Sequence, residues 1–274
     1  MVTSAAMQTY LDKILDRTRE RVAVAERRRS TGDLERDLRS APALRDFAGA
    51  VTAPGMSLIA EVKRRSPSRG KIREELNPGQ VAISYEKGGA RALSVLTEPE
   101  FFSGTLDDLA KAREAAELPV LRKDFVIDPY QVVEARVGGA DAILLIVLAL
   151  PDRGLFAELF AAAAELGMAA LIEVHDEREL DAAFAAAPGG PSLIGVNQRD
   201  LTSFAVDKGL AIKLRVHIPP DVAVVAESGI SERSDVEQLE GAGIEAILVG
   251  EALMRAEDPG AAAAALLGLP VPER

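Results

Sequence analysis

The feature that most constrains this chain is a repeat. Eight short apolar runs, SLIAEV (57–62), RALSVL (91–96), PVLRKDF (119–125), DAILLIV (141–147), MAALIEV (168–174), SLIGVNQ (192–198), VAVVAES (222–228) and EAILVGE (245–251), are separated by helix-like segments. Segments such as TLDDLAKAREAAEL and DRGLFAELFAAAAELG carry apolar residues at the i, i+3, i+4 spacing of an amphipathic helix. Runs that are apolar throughout suit strands covered on both faces, and helical crossovers make such strands parallel. Three junctions, KGGARALSVL, VGGADAILLI and GAGIEAILVG, put glycine where a left-handed helix C-cap is wanted, directly before a strand. Eight β-then-α units predict an α/β protein, a single (β/α)8 barrel, and 274 residues is a usual length for one. The competing arrangement is an open doubly wound sheet. Its glycine fingerprint is nearly supplied by Gly241, Gly243 and Ala246, but these stand between a helix and a strand, the reverse of the required order.

About fifty residues precede the first strand. Leu11, Ile14, Leu15, Thr18 and Val22 share one helical face, and ERRRS (26–30) closes that helix where cations suit its dipole. The expectation is an N-terminal helical extension (1–50) capping the active-site end of one domain that spans 1–274, because no Gly-, Ser- or Pro-rich linker divides the chain.

Composition removes whole classes of chemistry. The chain has no cysteine, which excludes disulfides, thiolate metal sites and cysteine nucleophiles, and its two histidines, His175 and His217, cannot furnish a His-rich metal centre. The N-terminus lacks a basic segment followed by an apolar one, and the longest apolar run, AILLIVLALP (142–151), is too short to span a bilayer. A soluble cytoplasmic protein is expected, with no membrane partner. A net charge of −11 argues against general nucleic-acid binding, so an anionic ligand needs a local basic pocket. A monomer, or a homodimer, is the expected assembly.

Active sites of such barrels lie at the C-terminal ends of the strands, and the anomalies of this sequence fall there. Strand one ends in Glu61 and Lys63, strand three in Lys123, strand five in Glu173, strand six in Asn197 and Arg199, strand seven in Glu227 and Ser228, and strand eight in Gly250 and Glu251. The alternation of a strand turns Lys123 toward a cavity and its neighbours Arg122 and Asp124 away from it. Lys63 and Lys123 together with Glu61, Glu173 and Glu227 in one place shift one another's pKa values, as proton transfer requires. Acid–base chemistry suits this set better than a metal, because the lysines compete with a cation for the carboxylates. The loops after strands seven and eight, ESGI (227–230) and VGEALM (249–254), offer glycine backbone to a phosphate, and KRRSPSRGK (63–71) is a basic loop that can clamp an anion.

The motifs IAEVKRRSPSRG, LSVLTEPEFFSG, PVLRKDFVIDPYQVVEAR, ALIEVH, IGVNQRDL, VAESGI and ILVGEALM, in that order, resemble the indole-3-glycerol-phosphate synthase family of tryptophan biosynthesis. The resemblance runs from about Leu58 to Met254. It implies a cofactor-free, metal-free carboxy-lyase: 1-(2-carboxyphenylamino)-1-deoxyribulose 5-phosphate closes its ring and loses CO2 and water to give indole-3-glycerol phosphate. By motif position it implies Lys123 as general acid, Glu173 as general base of the dehydration and Lys63 as the partner of a substrate anion. Glu61, Asn197 and Glu227 would hold the lysines and the sugar hydroxyls. Ser228, Gly229, Gly250 and Glu251 would surround the phosphate, and Ser66, Phe125 and Arg199 are further substrate contacts. A lysine near a second lysine and partly desolvated is expected to have a lowered pKa. The rival readings are a Schiff-base aldolase with Lys123 as nucleophile, and a non-catalytic barrel that binds a phosphorylated ligand.

Overall fold

The computed structural model describes residues 9–73, 75–200 and 203–271. Residues 1–8 of the N-terminal extension, Leu201 of the IGVNQRDL motif and the last three residues lie outside the described residues. Each of the eight apolar runs contains one barrel strand: β1 (Ser57–Val62), β2 (Ala92–Leu96), β3 (Val120–Lys123), β4 (Ala142–Ile146), β5 (Ala169–Val174), β6 (Leu193–Asn197), β7 (Ala223–Glu227) and β8 (Ala246–Val249). They pair in parallel in sequence order and close through β1 and β8 into a barrel.

Alternation along each strand divides the core in two. Leu58, Ala60 and Val62 of β1 face outward and pack in one apolar cluster with the helix layer, whereas Ile59 joins Leu121, Leu171 and Val225 in a second cluster inside the barrel. The inward residues come in layers drawn from alternate strands. Above Ile59, Leu121, Leu171 and Val225, which belong to the odd strands, lie Ser94, Leu144, Gly195 and Leu248 of the even ones. The next odd-strand layer is Glu61, Lys123, Glu173 and Glu227, as the pairings Glu61 with Ser94, Glu173 with Gly195 and Leu248 with Glu227 require.

The helices of the outer layer start where the sequence caps them. Asn77, Asp128 and Asp258 each accept backbone N–H bonds at the N-cap of the helices Pro78–Lys87, Pro129–Val137 and Pro259–Leu267, and each is followed by proline, which fits the first helical turn. At the three glycine junctions, Gly89, Gly139 and Gly243 take φ of +86°, +90° and +77°, a conformation that side chains resist.

Among the described residues, the extension divides its work among three α-helices, α1 (Tyr10–Arg28), α2 (Thr31–Asp37) and α3 (Phe47–Val51). α1 buries Ile14, Leu15, Thr18 and Val22 and lies over the C-terminal end of the barrel, where Tyr10, Leu11 and Ile14 line the central cavity. Leu34 of α2 packs with Val22 and Tyr130 and so joins α1 to the helix layer. The short α3 closes the other end, a part the sequence did not assign to it: Phe47 and Val51 pack with Ile59, Ala92, Leu193 and Ala246 at the strands' N-terminal side. Nearby, the fully buried Asp141 carboxylate accepts from the Arg45 and Val120 N–H groups at 2.7 and 2.8 Å and from the Arg113 guanidinium at 2.5 Å. Among the described residues, no helix is long and apolar enough to cross a membrane.

Candidate active site

The C-terminal end of the barrel opens into a cavity of about 580 Å³. All thirteen candidate residues line it: Glu61, Lys63, Ser66, Lys123, Phe125, Glu173, Asn197, Arg199, Glu227, Ser228, Gly229, Gly250 and Glu251. The charged layer forms its floor. The Lys123 ammonium donates to Glu173 Oε2 at 2.9 Å and to Glu227 Oε2 at 2.5 Å, and Lys63 pairs with Glu61. Asn197 donates to the second oxygen of Glu173 at 3.1 Å.

Two small residues make this layer possible. A Cβ on Gly195 would overlap Glu227 Oε1, and one on Gly250 would overlap Glu61 Oε1. Glycine in these positions therefore creates the volume that the carboxylates fill. A glycine inside the SLIGVNQ run was the available signal for Gly195, since glycine in a strand marks a close approach.

The electrostatics correct one expectation. The pKa of Lys123 is raised, not lowered. Burial acts to lower it, but Glu173, Glu227 and Glu61 together outweigh that effect, and the second lysine, Lys63, is already engaged by Glu61. The two carboxylates on Lys123 diverge. Burial acts to raise Glu173, yet Lys123, His175 and Asn197 hold it well below the usual carboxylate range. Glu227 is pushed up to about 7 by burial, with Glu173 and Glu61 adding to the effect against the pull of Lys123.

Arg122 and Asp124 turn away from the cavity as the alternation requires, but into the helix layer rather than solvent. Arg122 donates to Gln131 O at 2.9 Å, meets Glu134 at 2.9 Å and reaches Asp124 at 3.1 Å, while Asp124 also accepts from Thr97 at 2.7 Å and from Arg21 of α1 at 2.9 Å. This set fastens α1 to the strand that carries Lys123. Burial acts to raise Asp124, but Arg122 and Arg21 keep its pKa below the ordinary value.

At the cavity's rim, Ser228 and Gly229 are both left-handed, with φ of 67° and 77°, and Gln198 donates to Ser228 O at 2.8 Å. The Glu251 carboxylate is not turned inward unpaired. It lies 3.2 Å from Arg69 and 3.2 Å from Arg255, so the basic loop is fixed across the mouth by Arg69 and, further back, by Arg64, which pairs with Asp108. The opposite wall is aromatic: the Phe102 and Phe125 rings lie 6.3 Å apart. Phe102 is placed by Glu98, whose carboxylate accepts the N–H groups of Phe101 at 2.6 Å and Phe102 at 3.1 Å. Sequence reasoning missed Phe102, Glu98 and His175, and took Arg69 only as part of the basic loop 63–71. Phe102, Glu98 and Arg69 sit in loops, where no periodicity reports direction, and His175 stands two residues beyond Glu173 in a motif whose only assigned member was the glutamate.

A parallel (β/α)8 barrel with lysines and carboxylates interleaved at its C-terminal face, a basic loop across the mouth and an aromatic wall defines an acid–base enzyme for a small anionic substrate. The comparisons with known proteins give its kind. The family model described as indole-3-glycerol phosphate synthase matches residues 11–266, and the chain belongs to that family. It is 51% identical over 229 residues, 84% of this chain and 87% of the other, to indole-3-glycerol phosphate synthase 2 of Streptomyces coelicolor. It is 47% identical over 267 residues, 96% of this chain and 100% of the other, to the indole-3-glycerol phosphate synthase of a Polaromonas species. Among solved structures, 3-hexulose-6-phosphate synthase superposes with a TM-score of 0.60 at 16% identity, over 78% of this chain and 99% of that one, which speaks to the fold alone. The activity is that of an indole-3-glycerol-phosphate synthase, a carboxy-lyase of tryptophan biosynthesis acting on a phosphorylated small molecule.

Proposed function

We propose that Lys123 protonates the ribulose carbonyl oxygen of the carboxyphenylamino-deoxyribulose phosphate while the aromatic carbon attacks. The observation that carries this reading is the Lys123 ammonium held between Glu173 and Glu227 at the floor of the cavity. Ring closure pushes an electron pair onto that oxygen, so a cation beside it stabilises the transition state more than the ground state. The raised pKa does not prevent transfer, because an alkoxide is far more basic than an amine. It ensures instead that the acid is protonated in the resting enzyme. It also disfavours the Schiff-base aldolase, whose nucleophile must be a neutral amine.

Glu173, held as carboxylate, serves as the base of the dehydration. Lys63, partly exposed and paired with Glu61, is placed to meet the substrate carboxylate, and Asn197 and Glu61 orient the groups beside it. The phosphate lies at the rim against Ser66, Arg199, Ser228, Gly229 and Gly250, with the Glu251 charge neutralised by its two arginines. Phe125 and Phe102 flank the anthranilate ring. The chain acts as one domain, a reading supported by the Arg21–Asp124 and Arg45–Asp141 bonds that tie the extension to the barrel.

The test is an indole-emission assay on that substrate. The protein contains no tryptophan, so new emission reports product. Wild type turns over, and Lys123→Ala falls by about 10²–10⁴-fold in kcat. Reductive trapping of a substrate adduct on Lys123 by borohydride would overturn the assignment in favour of the aldolase.

A further inference from the structure

Lys123 touches two buried glutamates at similar range, yet only one of them can be the base that collects a proton late in the reaction. Their surroundings differ on the far side from Lys123. The second oxygen of Glu227 is buried and has no hydrogen-bond partner among the described residues, whereas that of Glu173 faces Asn197 at 3.1 Å and the Nε2 of His175 at 3.4 Å. His175 is nearly buried, and it is fixed from behind. Glu179, in the first turn of the helix Glu177–Ala186, accepts from the His175 backbone N–H at 2.9 Å and lies 3.0 Å from its ring Nδ1.

An ionised carboxylate only accepts, so Nδ1 must carry a proton. The Nε2 is buried with no hydrogen bond formed among the described residues and is aimed at a second carboxylate. A neutral ring in this tautomer would set a lone pair against the Glu173 oxygen. A doubly protonated ring replaces that repulsion with attraction to carboxylates on both sides. The charged and polar groups around the ring are Glu173 of β5, Glu179 of the helix that follows it and Glu227 of β7, with Asn197 of β6 and Lys123 of β3 on Glu173 itself.

We propose that His175, as the imidazolium, is the positioning residue that makes Glu173, and not Glu227, the base of the pair flanking Lys123. The inference rests on the reading of the reaction given above. When Lys123 gives its proton to the substrate oxygen it becomes a neutral amine, and both glutamates lose their shared cation. Glu173 keeps His175 and remains a carboxylate able to accept the later proton. Glu227 has no second cation paired with it among the described residues and holds a proton readily. The direction of the histidine's own displacement agrees: burial acts to lower its pKa, but Glu179, Glu173 and Glu227 carry it above its ordinary value.

The experiment compares the pH profile of kcat/KM for wild type, His175→Asn and Glu179→Gln. The proposal expects the acid limb of the His175→Asn profile to move up by about one pH unit, since an adjacent opposite charge is worth at least that to a carboxylate. At a fixed pH on that limb, such a displacement lowers the rate about tenfold, with KM little changed. Glu179→Gln moves the limb in the same direction by less, because the ring is kept but its second carboxylate is lost. A fall in kcat with an unmoved acid limb, as misplacement of β5 alone would give, overturns the proposal.

A second measurement needs no turnover. The ring nitrogens of the protein's two histidines are separable by NMR, with His175 identified by its loss in His175→Asn. A cationic His175 at neutral pH supports the proposal, and a neutral one overturns it. Should wild type fail to convert the substrate while His175 is cationic and Glu173, observed through carboxyl carbon labelling, titrates higher in His175→Asn, the reaction reading has failed and the pairing stands.

Discussion

The two ends of the barrel each bury a cluster of charges, and they are built to opposite rules. At the N-terminal end, Asp141 spends both oxygens on Arg45, Val120 and Arg113, while Arg45 reaches the carbonyls of Arg113, Ala116 and Leu118 and Arg113 reaches that of Ala43. At the C-terminal end, one oxygen of Glu227 and one nitrogen of His175 are buried with no hydrogen bond among the described residues. A saturated carboxylate such as Asp141 holds a chain segment in place, although the neighbouring Arg136 keeps one buried nitrogen without a hydrogen bond among the described residues. An unsaturated cluster keeps donors and acceptors free for a substrate and leaves its pKa values displaced, at a cost in stability that the rest of the fold offsets.

The comparison is broken most sharply at Glu173. Glu173→Gln removes the base without removing volume, so kcat of the folded enzyme drops by about 10²–10⁴-fold, and at neutral pH the stability given by its lowered pKa is lost with it; a loss of stability with kcat retained would place Glu173 among the structural ion pairs. Asp141→Ala separates the two effects. It strands the Arg113 guanidinium, which is 7% exposed, and should lower the unfolding free energy in urea by roughly 3–5 kcal/mol, while the folded fraction keeps its kcat.

Glu227→Gln tests the unsatisfied end through pH. The folded-state pKa of Glu227 lies above its unfolded value, so the native protein binds a proton more tightly there than the unfolded chain does. The stability this gives is complete below the unfolded pKa of 4.5 and is lost as pH rises toward about 7. Glu173, whose pKa is lowered, contributes in the other direction and loses its part as pH falls below the usual carboxylate range. Replacing Glu227 by Gln should therefore flatten the decline toward neutral pH and leave the variant more stable than wild type by about 1–3 kcal/mol on its alkaline side, as denaturant titrations at several pH values will show. The smallest effect is expected for Gly195→Ala. Its methyl would meet Glu227 Oε1 and Leu171, which costs about 1–3 kcal/mol of overpacking and lowers kcat by displacing that carboxylate; wild-type kinetics in this variant would show that Gly195 does not shape the charged layer.

Much of this was legible in the chain itself. The eight runs marked the strands, because a strand covered on both faces must be apolar along its whole length. Lys123 and Glu173 were visible as charges that interrupt such runs, and alternation alone turned Lys123 inward. What was not legible was which charges neighbour which. Placing Lys63 and Lys123 at the same end of the barrel suggested a lowered pKa for Lys123, but Glu173 and Glu227, 50 and 104 residues away in sequence, reach it from other strands. His175, just past the end of β5, carries no pattern that reports its part, and Gly195 is marked only as a glycine inside a strand, which signals a close approach without saying to what.

The sequence by itself determined the (β/α)8 order, the helix caps, the glycine turns and the set of side chains that reach the C-terminal end, because each of these follows from local propensity and the period of apolar residues. The tertiary structure decided that α1 and α3 close opposite ends, that glycines next to odd-strand carboxylates make room for them, and that Lys123 is held cationic between two glutamates. Those outcomes depend on barrel closure and register, which bring distant residues within a few ångströms, and electrostatic interactions in a buried layer are set by such distances.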